Sequence, residues 1–122
     1  MVIRIRELKK QIGDRVKKAP SLDAAAERLT THLSKVEEEV YQVRNRSSQD
    51  PLNFPIKLNN QLGALQRVIE TGDAKPTDQC YPVFKELSTR LDAIRQSFDA
   101  ILQSDLANFN HAAASQGQPP IE

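Results

Sequence analysis

Apolar residues recur at steps of three and four along four segments of this 122-residue chain, and proline or glycine interrupts the pattern between the segments. Two of the stripes alternate strictly between steps of four and three. This is the heptad spacing of helices that cross at about 20°. The first consists of Leu22, Ala26, Leu29, Leu33, Val36, Val40 and Val43, and the second of Cys80, Phe84, Leu87, Leu91, Ile94, Phe98 and Ile101. Leu102, Leu106 and Phe109 continue the second stripe after a small change in phase. The spacing therefore predicts long amphipathic helices.

Proline and glycine indicate where these helices begin and end. Ala19-Pro20-Ser21 and Asp50-Pro51 interrupt the pattern, and Thr71-Gly72 ends the third segment, because proline lacks an N–H and glycine suits a helix C-cap. We predict helices over residues 2–18, 21–45, 54–71 and 77–110, with Thr77 as the N-cap of the last. Pro82 would remove a backbone hydrogen bond beyond a first turn. The fourth helix should therefore begin its regular part near Tyr81 or have a distorted first turn.

Short connections between amphipathic helices favour antiparallel neighbours. We predict an all-α fold, an antiparallel up-down four-helix bundle that forms one domain over residues 1–110. A dimer of helical hairpins would produce the same pattern and stays an alternative. Residues 111–122 contain the sequence Ser115-Gln116-Gly117-Gln118-Pro119-Pro120 and are predicted to be a disordered tail.

Composition narrows the class of protein. Aromatic residues make up 5% of the chain and Trp is absent, so the core must be aliphatic. Charged residues make up 27% with a net charge of +1, which is ordinary for a folded surface. No apolar run approaches the roughly 18 residues of a membrane span, and the N-terminus does not resemble a signal peptide. The single cysteine, Cys80, excludes an intramolecular disulfide and is expected to be a buried small hydrophobe.

The reactive side chains form no recognisable constellation. His32 and His111 lack companions at metal-ligand spacing, and the four glycines do not cluster into a phosphate-binding loop. The carboxylates follow a surface pattern, whereas acid–base catalysis needs a pair in one pocket. We therefore expect no catalytic residues, no metal site and no cofactor, and predict that the chain is not an enzyme.

Four residues around the start of the third helix are candidates for an interaction or structural role: Asn53, Phe54, Asn59 and Asn60. Asparagine is a poor helix former, so we expect Asn59 or Asn60 to bond the connection over residues 44–55; a solvated face or a ligand contact are the alternatives. Phe54 is expected to pack on Leu58 as a hydrophobic staple. The alternative for Phe54 is an exposed anchor for a partner.

The first helix is basic, with Arg4, Arg6, Lys9, Lys10, Arg15, Lys17 and Lys18 against only Glu7 and Asp14. Such a helix can bind nucleic acid or an anionic membrane. However, the whole chain is nearly neutral, and no aromatic residues alternate with these charges for base stacking. A solvated face, or one neutralised by Glu37-Glu38-Glu39, is the favoured interpretation. Binding of an anionic partner stays the alternative, and nucleic acid is not expected.

One segment, Ser47-Ser48-Gln49-Asp50-Pro51-Leu52-Asn53-Phe54-Pro55-Ile56-Lys57-Leu58-Asn59-Asn60-Gln61-Leu62, resembles a region near the C-terminus of large bacterial sortilin-like BNR-repeat proteins, which are described as glycosyl hydrolases or sialidase-like. Ala74-Lys75-Pro76-Thr77 continues the resemblance, followed by Tyr81, Phe84, Leu87, Arg90 and Leu91-Asp92-Ala93. Pro82 departs from the family pattern. The resemblance extends over residues 2 to 110 and is most specific over 47–93.

The resemblance implies a C-terminal helical module that follows β-propellers in a larger parent protein. Carbohydrate chemistry in that family belongs to the propellers, and this chain has no Asp-box repeat. The expected function is therefore a non-catalytic accessory module. Its expected partners are the propellers of its own parent or another protein, and a homodimer is a further alternative. Exported parents would place it in the envelope or outside the cell.

Overall fold

The structure, a computed structural model, describes residues 1–44, 56–72 and 75–122, which form helices and no strand. Five α-helices lie in these ranges: α1 (Val2–Lys18), α2 (Asp23–Val40), α3 (Leu58–Glu70), α4 (Cys80–Ile101) and α5 (Ala107–Ser115). A 3₁₀ turn, Pro20–Leu22, precedes α2, and a π-helical segment, Leu102–Leu106, joins α4 to α5. The all-α prediction is confirmed, whereas the up-down arrangement of the whole bundle stays a prediction.

The chain divides into two compact units. The first comprises Met1–Glu37 with Arg95–Glu122, and the second comprises Glu38–Ile94. The core of the first unit is aliphatic with two phenylalanines: Ile5, Leu8, Ile12, Leu22, Ala26, Leu29, Leu33, Val36, Phe98, Leu106, Phe109 and Ala113 are all buried. In this unit the heptad spacing of α2 identified the buried face correctly, because each of its positions from Leu22 to Val36 is in the core.

The end of α2 differs from the prediction. The helix ends at Val40 rather than at residue 45, and Val43, a predicted seam residue, is 41% exposed. Gln42 is buried instead, and its side-chain oxygen accepts a hydrogen bond from the backbone N–H of Arg44 at 3.3 Å. A side chain that bonds the backbone two residues later offers an alternative to the helical hydrogen bond. The row of buried apolar residues in α2 therefore ends at Val40, one heptad step before Val43.

The starts of α3 and α4 also lie later than predicted. α3 begins at Leu58, and residues 45–55, which include the predicted start at residue 54, lie outside the described residues. α4 begins at Cys80, whose N–H donates to the Thr77 carbonyl at 2.9 Å, so that Thr77 forms a preceding turn. Pro82 consequently lies in the first turn of α4, where its missing N–H has no helical acceptor to lose.

The π-helical segment explains the change in phase of the last apolar stripe. The seven-residue step from Phe98 leads to Asp105, whereas the stripe continues at Leu106 and Phe109. A π-turn accommodates one additional residue within a helix. Asp105 and Leu106 are therefore both buried, on consecutive positions.

The prediction of a disordered tail over 111–122 is wrong. α5 continues to Ser115, and Ile121 is only 2% exposed. Gly117 has φ +69°, its N–H donates to the Ala114 carbonyl, and the Gln118 N–H donates to the Ala113 carbonyl. These two bonds form a Schellman turn, which needs a residue in the left-handed region that glycine adopts readily. The turn reverses the chain and holds the last residues against the first unit.

Candidate functional site

In the second unit, α3 and the part of α4 that ends at Ile94 lie side by side. Gln61, near the start of α3, accepts a hydrogen bond from the Arg90 guanidinium at 2.9 Å. At the other end of α3, Ile69 lines a groove together with Phe84, which is near the start of α4. The two helices therefore run in opposite directions along this stretch.

Their paired surface is apolar and open to solvent. We define the α3–α4 apolar surface as the exposed large hydrophobic residues of this hairpin and its approach: Ile56, Val68, Ile69, Tyr81, Val83 and Phe84. Val68 is 61% exposed and Phe84 is 57% exposed. Single exposed apolar side chains are normal in soluble proteins, but a group of them on one hairpin is typical of an interaction site. Ile69 and Phe84 share one groove, and Ile56, Val68 and Val83 share another.

Two shallow grooves lie along this surface. One has a volume of about 350 Å³ and is lined by Leu62, Leu65, Gln66, Ile69, Glu70 and Phe84. The other has a volume of about 420 Å³, and its lining includes Ile56, Leu65, Val68, Val83 and Leu87. Leu65 lines both grooves, so they flank the same seam between the helices. Both grooves are open to solvent.

The prediction that Phe84 belongs to the buried seam is wrong. Leu58 and Leu87, at other seam positions, are buried, whereas Phe84 and Ile69 face solvent. Heptad spacing identifies the apolar face of a helix but not how many neighbours cover it. Within the described part of the second unit, the halves of the hairpin nearest Ile69 and Phe84 are exposed.

Polar and charged residues border the surface. Gln66 donates to Glu70 at 2.7 Å beside the first groove, while Glu86 and Arg90 border the second. Both signs of charge are therefore present around an apolar centre. An apolar core with a polar rim is the usual composition of a protein–protein interface.

The structure places Asn59 and Asn60, two of the predicted interaction residues, on the exposed side of the first turn of α3. Asn53 and Phe54 lie outside the described residues, so their roles stay predictions. The predicted staple partner of Phe54, Leu58, is fully buried. Neither of the two described residues, Asn59 and Asn60, belongs to the candidate surface, although both lie on α3.

Two basic residues of α1 are neutralised by α2. The Glu37 carboxylate accepts hydrogen bonds from Arg6 Nε and from Lys9 Nζ, both at 2.7 Å. Burial of Glu37 disfavours its charge, but the hydrogen bonds and positive charges of Lys9 and Arg6 outweigh burial and lower the pKa of Glu37 below its usual value. The predicted neutralisation by the acidic run of α2 is confirmed for Glu37.

A second polar cluster joins α2 to the π-helical segment. The Asp105 carboxylate lies 2.5 Å from His32 Nδ1 and 3.5 Å from Arg28 Nε. Asp105 is buried and His32 is half-buried. This contact was not predicted from the sequence, although Asp105 occupies the next heptad position after Phe98. A polar residue at a seam position is the signal that could have found it.

Among the described residues, the other reactive groups offer no further candidate site. Cys80 is buried as expected, with its Sγ 3.4 Å from Thr77 Oγ1. Within residues 1–44, 56–72 and 75–122, no group of three or more His, Cys, Asp or Glu side chains could hold a metal ion. In the same ranges no helix has the length and apolar character needed to cross a membrane.

The α3–α4 apolar surface is therefore the candidate functional site. Comparisons of the chain with protein-family models, with curated proteins and with solved structures found no match.

Proposed function

We propose that this chain is a non-catalytic protein-interaction module that binds a folded partner through the α3–α4 apolar surface. The observation that carries the proposal is the exposure of Phe84, Ile69 and Val68 on adjacent helices. In the first unit, the corresponding heptad positions of α2 are buried. A partner that covers the surface would complete the burial that the apolar pattern of α3 and α4 specifies.

The size of the surface fits such a role. Its six residues are between 36% and 61% exposed. Because a whole aromatic side chain has an area of roughly 150–250 Å², the six together expose on the order of 600 Å². Each partner of a standard interface contributes about 800 Å², of which somewhat more than half is apolar. Covering the surface would therefore supply most of the apolar area of one interface.

The partner we propose is the β-propeller region of a larger parent protein. The resemblance of residues 47–93 to the C-terminal region of sortilin-like BNR-repeat proteins supports this choice. These residues include the whole of α3 and the first part of α4. In such a parent the module would pack on the propellers or help to assemble them, and any carbohydrate chemistry would be theirs.

A titration of the chain with the propeller region of such a parent tests this proposal. We expect binding with micromolar or better affinity, weakened at least tenfold by Phe84→Asp. Lys85→Asp, which also places a carboxylate on an exposed position next in sequence, is the matched control and should bind nearly as well as wild type.

Two outcomes would change the proposal. Self-association that Phe84→Asp abolishes would keep the surface but make a second copy of the chain its partner. Absence of both propeller binding and self-association by a folded chain would overturn the proposal.

The alternative partner, an anionic surface bound by α1, has less support. Arg6 and Lys9 already pair with Glu37, and Arg15 donates to the Pro119 carbonyl. Binding to nucleic acid depends on cations that are available to phosphates and weakens steeply with salt. Measured binding to DNA or anionic vesicles at low salt would revive this alternative.

A further inference from the structure

The imidazole of His32, on α2, is held in one orientation by a buried carboxylate. Its Nδ1 lies 2.5 Å from Oδ2 of Asp105, which belongs to the π-helical segment. The Asp105 side chain is 9% exposed, whereas the His32 side chain is 36% exposed. Because Nδ1 points to a buried group, the exposed part of the ring is the opposite side, which carries Nε2.

This hydrogen bond determines which nitrogen of His32 can react. A carboxylate only accepts hydrogen bonds, so Nδ1 carries the proton that is donated to Asp105. In the neutral ring the free lone pair then lies on Nε2. Within the part of the chain that the structure describes, no hydrogen bond or ion pair engages Nε2. His32 therefore presents a nucleophilic nitrogen to solvent in a fixed orientation.

Two cationic side chains share this face of α2. Arg28 is four residues before His32 and Lys35 is three residues after it, and both are exposed. Side chains at these separations are neighbours on a helix surface. Arg28 Nε lies 3.5 Å from Asp105, and the Arg28 side chain is 72% exposed. Since guanidinium and ammonium groups bind phosphoryl oxygens, the surroundings of Nε2 suit a phosphoryl group.

We propose that His32 is a phosphoryl acceptor that is modified at Nε2. The donor is a compound of the phosphoramidate class, in which phosphorus is bonded to nitrogen. The Nε2 lone pair forms a bond to phosphorus, the bond between phosphorus and the donor nitrogen breaks, and its electron pair leaves with the amine. Nδ1 keeps its proton, so the ring gains a positive charge that the Asp105 carboxylate is placed to stabilise.

This site is separate from the α3–α4 apolar surface. His32, Asp105, Arg28 and Lys35 all belong to the first unit. Its role is that of a modified residue, so it requires no catalytic residue in the chain. Failure of the phosphoryl-acceptor proposal would leave the proposed interaction surface untouched.

Incubation of the full chain with potassium phosphoramidate tests the proposal. His111 of α5 is exposed and is the internal control, because accessibility alone would make it the faster of the two histidines. We expect His32 to gain a phosphoryl group roughly tenfold faster than His111, since a carboxylate that orients an imidazole contributes about this factor. Mass spectrometry of peptides kept at alkaline pH measures both rates, and phosphorus–proton NMR identifies the nitrogen. A rate at His32 equal to or below that at His111 would overturn the proposal.

Asp105→Asn tests the part that the carboxylate contributes. It should slow modification of His32 roughly tenfold and leave His111 unchanged. Asp99→Asn, which removes an exposed carboxylate of α4, is the matched control and should behave as wild type at both histidines. An unchanged rate at His32 in an Asp105→Asn chain with the circular dichroism of wild type would contradict the proposal. If this variant does not fold, the comparison of His32 with His111 in wild type decides.

Discussion

Phe84 of α4 and Ile69 of α3 line the same groove, yet Phe84 is 57% exposed and Ile69 is 36% exposed. Phe84 belongs to the heptad stripe of α4, and Ile69 ends a stripe of α3 that begins with Leu58, Leu62 and Leu65. The other members of both stripes are buried or half-buried. Ordinary folding would cover such positions, since each buried large aliphatic or aromatic side chain contributes about 1.5–3 kcal/mol. The surface around this pair is therefore where we place the function of the chain.

Alanine substitutions along α4 should separate exposed from buried seam positions. We expect Phe84→Ala to cost less than about 1 kcal/mol of unfolding free energy, because most of the ring is already in water. Leu87→Ala, one helical turn later and 6% exposed, should cost about 2–5 kcal/mol. Chemical denaturation of the two variants measures the difference. Similar losses for both would place Phe84 in a core.

The Glu37 contacts should make stability depend on pH in the acid range. The pKa of Glu37 is lowered in the folded chain, so its contribution is present above the unfolded pKa of about 4.3 and is lost as the pH falls through the folded pKa. We expect Glu37→Gln to cost about 1–2 kcal/mol at neutral pH, because two charge-assisted hydrogen bonds weaken while Arg6 stays largely exposed.

Denaturation midpoints measured from neutral pH down through this range check that expectation. The difference between wild type and Glu37→Gln should shrink as Glu37 becomes protonated. Glu38→Gln, a change at the exposed neighbouring position, is the matched control and should follow wild type. A difference that stays constant at all pH values would mean that the charge of Glu37 contributes nothing.

The Asp105 cluster should stabilise the first unit mainly through His32. Asp105→Ala is expected to cost about 1–3 kcal/mol, because a buried hydrogen-bonded group loses its contacts. Arg28→Gln should cost less than about 1 kcal/mol, since Arg28 is 72% exposed and 3.5 Å away. A double-mutant cycle of His32→Ala with Asp105→Ala should give a coupling above about 0.5 kcal/mol. Strict additivity would show that their proximity has no energetic effect.

A single deletion should distinguish the π-helical segment from a regular helix. Removing the exposed residue Gln103 lets Leu102–Leu106 become α-helical while Phe98, Leu106 and Phe109 return to one heptad series. We expect helical content to be kept, with a loss of about 1–3 kcal/mol from the displaced Asp105.

Removal of Thr31, an exposed residue of regular helix in α2, is the control. It should rotate Leu33 and Val36 away from Leu29 by about 100°, since each residue occupies that angle in an α-helix. We expect this deletion to unfold the first unit. Circular dichroism during chemical denaturation compares the two chains, and equal damage would contradict the proposed role of the π-turn.

The spacing of apolar residues predicted the helices well. The change in the phase of the last stripe at Leu102 corresponds to the π-helical segment. The sequence did not reveal which seam positions are covered, because apolar spacing marks a face of a helix and not the neighbours that pack on it. The tail was misjudged from its composition. Ile121 is ordered through Asn110, eleven residues earlier, and this contact depends on the turn at Gly117.

The candidate site was predictable only in part. Ile69 and Phe84 are visible in the sequence as members of the apolar stripes of α3 and α4, but as an expected core, and the other four residues of the surface lie outside those stripes. Asn59 and Asn60 attracted attention because asparagine is rare inside helices, and they lie beside the surface rather than within it. An interaction surface made of ordinary core residues cannot be told from a core until the packing is known.

The central claim is that the α3–α4 apolar surface binds a folded partner. Sedimentation velocity of the chain, alone and with the β-propeller region of a sortilin-like BNR-repeat parent, tests it most directly. We predict a faster-sedimenting complex with wild type and with Lys85→Asp that Phe84→Asp fails to form. A folded wild-type chain that sediments as a monomer in every mixture would contradict the claim.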